Sequence, residues 1–202
     1  MERGGVGELC WARNWDAALE RLATDEGRRE ASEKAGMWLP LHRAVVRDAP
    51  VEVVRALLDA YPEGAGMTDN MFGCLPLHNA AERAPVVEVV RALLDAHPRA
   101  ANIQDNFGNT PGRMSYSDDH PKVHVMLALA RAGHPPNHPW TTRTHSVLHQ
   151  IAASVPDTAA SALIDAHVLR VRTLLCTLHR HGIPFALVSS IVGKVYVSDF
   201  FE

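Results

Sequence analysis

Apolar positions fall along one side of a helix twice in this chain, in segments that are identical letter for letter. Residues 51–60 read VEVVRALLDA, and residues 87–96 read VEVVRALLDA again. In the first copy Val53, Val54, Leu57 and Leu58 share one side of an α-helix, while Glu52, Arg55 and Asp59 share the other. Upstream, LPLH at 39–42 returns as LPLH at 75–78, so both elements recur 36 positions on. Pro40 and Pro76 are each placed to open a first helix, where proline's fixed φ fits and its missing N–H is not needed. Ala44 in one copy and Ala80 and Ala81 in the other keep that helix slim. Pro50 and Pro85 separate the two helices of a copy, and Pro62 and Pro98 close the second helix. Neither helix pair buries its apolar side alone, so neighbours are expected to stack into one continuous core.

Weaker copies flank these two. Asp105 to Pro111 corresponds to Asp69 to Pro76 with one residue fewer, and its second helix is expected over Pro121 to Arg131. Val123, Val125, Met126, Leu127 and Leu129 are its apolar positions, and Gly133 is placed as its stop. Near the start, Trp11, Trp15, Ala18, Leu19 and Leu22 are spaced for a helical hairpin broken near Asn14, with Asp16 expected to cap its second helix. The divisions that follow are an N-terminal capping hairpin over 1–38, repeats over 39–133, and a C-terminal part over 134–202.

The 36-residue period, the Pro-Leu-His motif and the stretch DNFGNTP at 105–111 together resemble the ankyrin repeat family, over roughly residues 10–133. The Leu-Pro-Leu-His variant is similar to that of ankyrin arrays in unicellular algae and other protists. The resemblance implies an all-α helical solenoid with a C-terminal helical extension. It also makes His42 and His78 structural histidines that bond backbone groups of neighbouring turns, rather than metal ligands or catalytic groups. The third copy departs from the pattern, with Gly112 and Arg113 where Leu-His is expected, and reads as an atypical end repeat.

In this family the hairpin fingers and inner helices form a concave, partner-holding surface. Carried onto this sequence, the first finger offers Met37 and Trp38. The second offers Asn70, Met71, Phe72 and Cys74, and the third offers Asn106, Phe107 and Asn109. Exposed inner-helix positions would be Val46, Arg47, Glu82 and Arg83. Large aromatic, Met and Arg side chains are the types that anchor interfaces. Phe72 and Phe107 have a second reading, in which they pack between adjacent fingers.

Composition sharpens this picture only modestly. A chain that is 47% hydrophobic and 21% charged is of globular type, and 6% aromatic residues favour thin helices over an aromatic-rich sandwich. The formal charge of −3 gives no basic field, so neither nucleic acid nor a membrane is an expected partner. No apolar stretch follows the charged first residues, so no signal peptide is expected, and none reaches the roughly 20 residues a bilayer demands. Cys10, Cys74 and Cys176 are odd in number and far apart, which points to a reducing setting, cytoplasmic or nuclear.

From Gly133 the texture changes. Residues 134–139 read as a proline-containing linker, followed by short helices over Ser146–Ala153 and Thr158–Ala166 and a longer one over His167–His181. The segment from Ile183 to Val195, with Pro184 at its head and apolar residues at 183, 187, 191 and 195, resembles the opening of an F-box. It reads otherwise as an amphipathic hairpin capping the array.

His120/His124, His134/His138 and His145/His149 are each four apart, and Cys176, His179 and His181 lie close in sequence. A zinc site needs more ligands and an orienting second shell, so no metal and no cofactor are expected. No GxSxG, GxxxxGK[ST] or GxGxxG motif occurs. The expectation is a protein–protein interaction module, not an enzyme. Its alternatives are a ubiquitin-ligase substrate adaptor acting through the F-box-like segment, and a metal-dependent enzyme using the His-rich tail.

Overall fold

A computed structural model describes residues 4–83, 86–114, 121–137, 146–148, 150–151 and 164. The chain divides into two compact units, Met1–Tyr116 and Ser117–Glu202. The described residues are mostly helical and contain no β-strand; an isolated bridge pairs Ala35 with Trp38.

The first unit holds α1 (Val6–Trp11), α2 (Trp15–Leu22), α3 (Asp25–Glu30), α4 (Pro40–Val46), α5 (Val51–Ala60), α6 (Pro76–Glu82), α7 (Val87–Ala96) and α8 (Pro111–Met114). The identical decapeptides are α5 and α7, and the two LPLH motifs open α4 and α6 with proline in the first turn. Two layers run through the unit. In one, α1 packs on α4, α4 on α6 and α6 on α8; in the other, α2 packs on α5 and α5 on α7. The apolar sides meet between them: Val53, Val54, Leu57, Val90, Leu93 and Leu94 are buried, as are Leu41 and Leu77 from the first layer. Each such aliphatic side chain contributes about 1.5–3 kcal/mol on burial.

The helix ends repeat as faithfully as the helices. Tyr61 and His97, each preceding a proline, take the extended φ of −146° and −141° that ends α5 and α7. The prolines then open 3-10 turns, Pro62–Gly66 and Pro98–Asn102, which bury Ala65 and Ala101.

The partial N-terminal copy forms a helix pair, but two details differ from the sequence reading. Asn14, not Asp16, caps α2: its side-chain oxygen accepts the Ala17 N–H at 3.4 Å, because the helix starts at Trp15 and leaves Asp16 inside the first turn. Asn14→Ala is therefore expected to cost about 1 kcal/mol of stability, and Asp16→Ala about 0.3 kcal/mol. Urea midpoints of the two variants check this, and a reversed order would refute the cap assignment. Trp11, placed by its spacing in the hairpin, remains half exposed, while Ala18 and Leu22 carry the burial. A third helix, α3, is added, capped by Thr24 and tied back through Glu30, which takes the Val6 N–H and the Arg21 guanidinium.

In the second unit, α9 (Pro121–Arg131) buries Val123, Val125, Met126, Leu127 and Leu129. Burial of neighbouring positions 125–127 means that this helix is covered on more than one stripe. Gly133, at φ +87°, ends it, and the His134 N–H returns to the Leu129 carbonyl at 2.9 Å. His134 and Pro136, read from composition as linker, are buried. Residues 146–148, 150–151 and 164 are helical, with Leu148 and Ile164 buried. The helix over 167–181, the F-box-like segment and the Cys176–His181 cluster lie outside the described residues. So do one partner of each spaced His pair at 120/124 and 134/138, and both residues of 145/149.

Candidate partner-binding groove

The fingers are built on two aspartates. Asp69 Oδ1 accepts the N–H groups of Met71, Phe72 and Cys74 at 3.1, 2.7 and 3.3 Å. Asp105 Oδ1 does the same for Phe107 and Asn109 at 2.9 and 2.8 Å. Against the burial that would raise it, these N–H groups hold the Asp105 carboxyl below its ordinary value. Gly73 and Gly108 complete the turns at φ +69° and +79°, a backbone that side chains with a Cβ disfavour.

Successive fingers are then pinned together. The Asn70 N–H donates to the Met37 carbonyl at 3.1 Å, and one repeat later the Asn106 N–H donates to the Phe72 carbonyl at 2.9 Å. Lys34 Nζ adds a bond to Asn70 Oδ1 at 2.6 Å.

The two histidines fasten the finger bases. His42 Nε2 lies 3.1 Å from the Cys74 carbonyl, and His78 Nε2 lies 3.0 Å from that of Asn109. A carbonyl only accepts, so Nε2 carries the proton in both rings. His78 Nδ1 accepts the Leu75 N–H at 3.1 Å and so meets the N–H of the residue before Pro76. Burial pushes both imidazoles below their ordinary value and keeps them neutral. Each ring thus bonds a backbone carbonyl at the base of the following finger. In the third copy Thr110 is buried at the position equivalent to Leu75, and Arg113 stands where the histidine would be.

Between the fingers and the inner layer lies a groove of about 380 Å³. Eight of the residues nominated from sequence line it: Trp38, Val46, Phe72, Cys74, Glu82, Arg83, Phe107 and Asn109. Phe72 and Phe107 meet in a tilted contact with centroids 6.1 Å apart, yet are 41% and 71% exposed, so packing between fingers and presentation to solvent coexist. Cys74 is buried rather than displayed, and its N–H and carbonyl are bonded by Asp69 and His42. Burial also raises its thiol to about 11. Met37 and Met71, each 48% exposed, are not among the groove's lining residues, and neither are Asn70 and Asn106, whose backbone N–H groups join successive fingers.

Arg47 goes elsewhere. Its guanidinium sits 4.9 Å from the Trp11 ring centroid and donates to the Trp11 carbonyl at 3.0 Å. Trp11 in turn meets Trp38 at a tilt of 54°, with ring centroids 5.6 Å apart. Sequence reasoning missed Asn79 and Met114, which also line the groove, and gave Asp69 and Asp105 no site role. Asn79 stands 36 residues after Arg43, so the repeat offset alone marks it as an inner-layer position.

No family model matches this chain, and no curated protein matches it. Among the described residues, no helix is long and apolar enough to cross a membrane.

Proposed function

We propose that this chain is an ankyrin-type helical repeat protein that holds a protein partner against its fingers and groove, and that it does not act as an enzyme. The observation that carries this reading is the Phe72–Phe107 pair, two large rings exposed on fingers that hydrogen bonds make rigid. Aromatic groups fixed before binding lose little conformational freedom when a partner covers them, which is what makes them effective anchors. In the first unit, the aspartates and histidines that meet at the fingers already have structural work. Asp69 and Asp105 close turns, and His42 and His78 bond carbonyls.

Replacing Phe72, Phe107 and Arg83 together by alanine tests this. Affinity purification with quantitative mass spectrometry identifies the partner of the natural chain, and titration calorimetry then compares the purified proteins. Binding is expected to weaken at least about 30-fold, since anchor truncations each cost on the order of 2 kcal/mol, with the helical circular dichroism signal unchanged. Undiminished binding by the triple variant would remove the groove from consideration.

A further inference from the structure

The groove's charge and its unmet hydrogen bonds say what kind of segment fits it. Three carboxylates line it, Asp69, Glu82 and Asp105, against one guanidinium, Arg83. Four other cations of the first unit are committed within the chain. Arg13 is paired with Asp48 at 2.7 Å, Arg43 donates to the carbonyls of Gly7 and Ala35, Arg47 donates to Trp11, and Lys34 donates to Asn70. An acidic ligand would therefore meet a net negative wall, and the nearby arginines would have to break existing bonds to greet it.

The second observation is independent of charge. Trp38 Nε1 and Asn79 Nδ2 are buried and have no hydrogen-bond partner among the described residues, and both residues line this groove, one from the first finger and one from α6. A buried donor left unmade is costly, so its natural complement is an acceptor brought by a ligand. Main-chain carbonyls of an extended segment supply acceptors at regular spacing, and such a segment also presents alternate side chains to the exposed Phe pair.

We propose, building on the partner-binding reading above, that the groove takes an extended basic peptide segment. Apolar side chains of the segment lie on Phe72 and Phe107, a Lys or Arg faces Glu82, with the buried charges of the two turn aspartates behind it, and its carbonyls answer Trp38 and Asn79.

Two short fluorescent peptides test this, with the same alternating leucines and serine spacers but with arginine in one and glutamate in the other. Fluorescence anisotropy with the full chain is expected to show the arginine peptide binding about tenfold tighter at low salt, with the preference shrinking as salt rises towards about 300 mM. Glu82→Lys removes most of that preference without changing the helical signal, and Phe72→Ala with Phe107→Ala weakens both peptides. Equal binding, a preference for the glutamate peptide, or binding of neither overturns the proposed partner chemistry. If the arginine peptide binds but ignores the phenylalanine substitutions, the groove reading falls as well.

Discussion

Gly27→Ala is expected to destabilise the first unit by about 3 kcal/mol or more, the upper range for inserting volume into packed structure. The reason lies in the turn between α2 and α3. Arg21, near the end of α2, has a carbonyl that accepts two bonds from Thr24, one from its hydroxyl at 2.7 Å and one from its backbone N–H at 3.0 Å. Thr24 Oγ1 in turn caps α3 by accepting the Gly27 N–H at 3.1 Å. A Cβ on Gly27 would stand 1.9 Å from that carbonyl oxygen and 2.5 Å from its carbon. Both atoms are backbone, so no side chain swings away; the two helices must separate. Separation also pulls Glu30 from Arg21 and from the Val6 N–H, the bonds that hold α3 against its neighbours. Gly5→Ala is the control, since its Cβ would meet only Glu30, at an ordinary 3.6 Å. Thermal unfolding followed by circular dichroism should place Gly27→Ala roughly 10 °C below the natural chain and Gly5→Ala close to it. Equal melting temperatures for the two variants would show that the turn yields without strain.

That turn was invisible in the sequence, and the contrast with what was legible is instructive. The helices α4 to α7 could be read because their determinants are local and doubled. Apolar spacing, a first-turn proline and a closing proline recur at a fixed offset, and two copies corroborate each other. The fingers were legible as motif, and the finger aromatics as candidates, since their residue types are rare in a chain that is 6% aromatic. What escaped depends on contacts between residues far apart. The withdrawal of Arg47 from the groove rests on Trp11, and the Cys74 carbonyl is held by His42, 32 residues before it. The choice of Asn14 over Asp16 as cap turned on a helix start shifted by two residues, a boundary that either side chain satisfies locally. Asn79 belongs to no motif of its own and stands beside His78, whose role is internal.

His78→Ala is expected to cost about 3 kcal/mol at neutral pH, combining a lost buried side chain with two orphaned backbone groups. The imidazole joins the Leu75 N–H at 3.1 Å to the Asn109 carbonyl at 3.0 Å, and so ties the start of α6 to the base of the third finger. The same bond pattern makes stability depend on pH in a defined direction. Burial lowers the folded-state values of both His42 and His78 from the ordinary 6.5. Above about pH 6.5 both rings are neutral whether the chain is folded or not, and their contribution is fully present. Below it the unfolded chain takes up protons that the folded chain refuses, so stability falls as pH drops from there through the lowered folded values. Glu30, held low by Arg21, and Asp105 act in the same direction, but only from their ordinary values of 4.5 and 3.8 downwards. Urea midpoints measured between about pH 7.5 and about pH 5.5 therefore isolate the histidines. The natural chain should lose stability across that interval, His78→Ala should lose less, and the gap between them should narrow. A gap that stays constant would mean that the His78 ring is not held neutral, and with it would go the assignment of Nδ1 as the acceptor for Leu75.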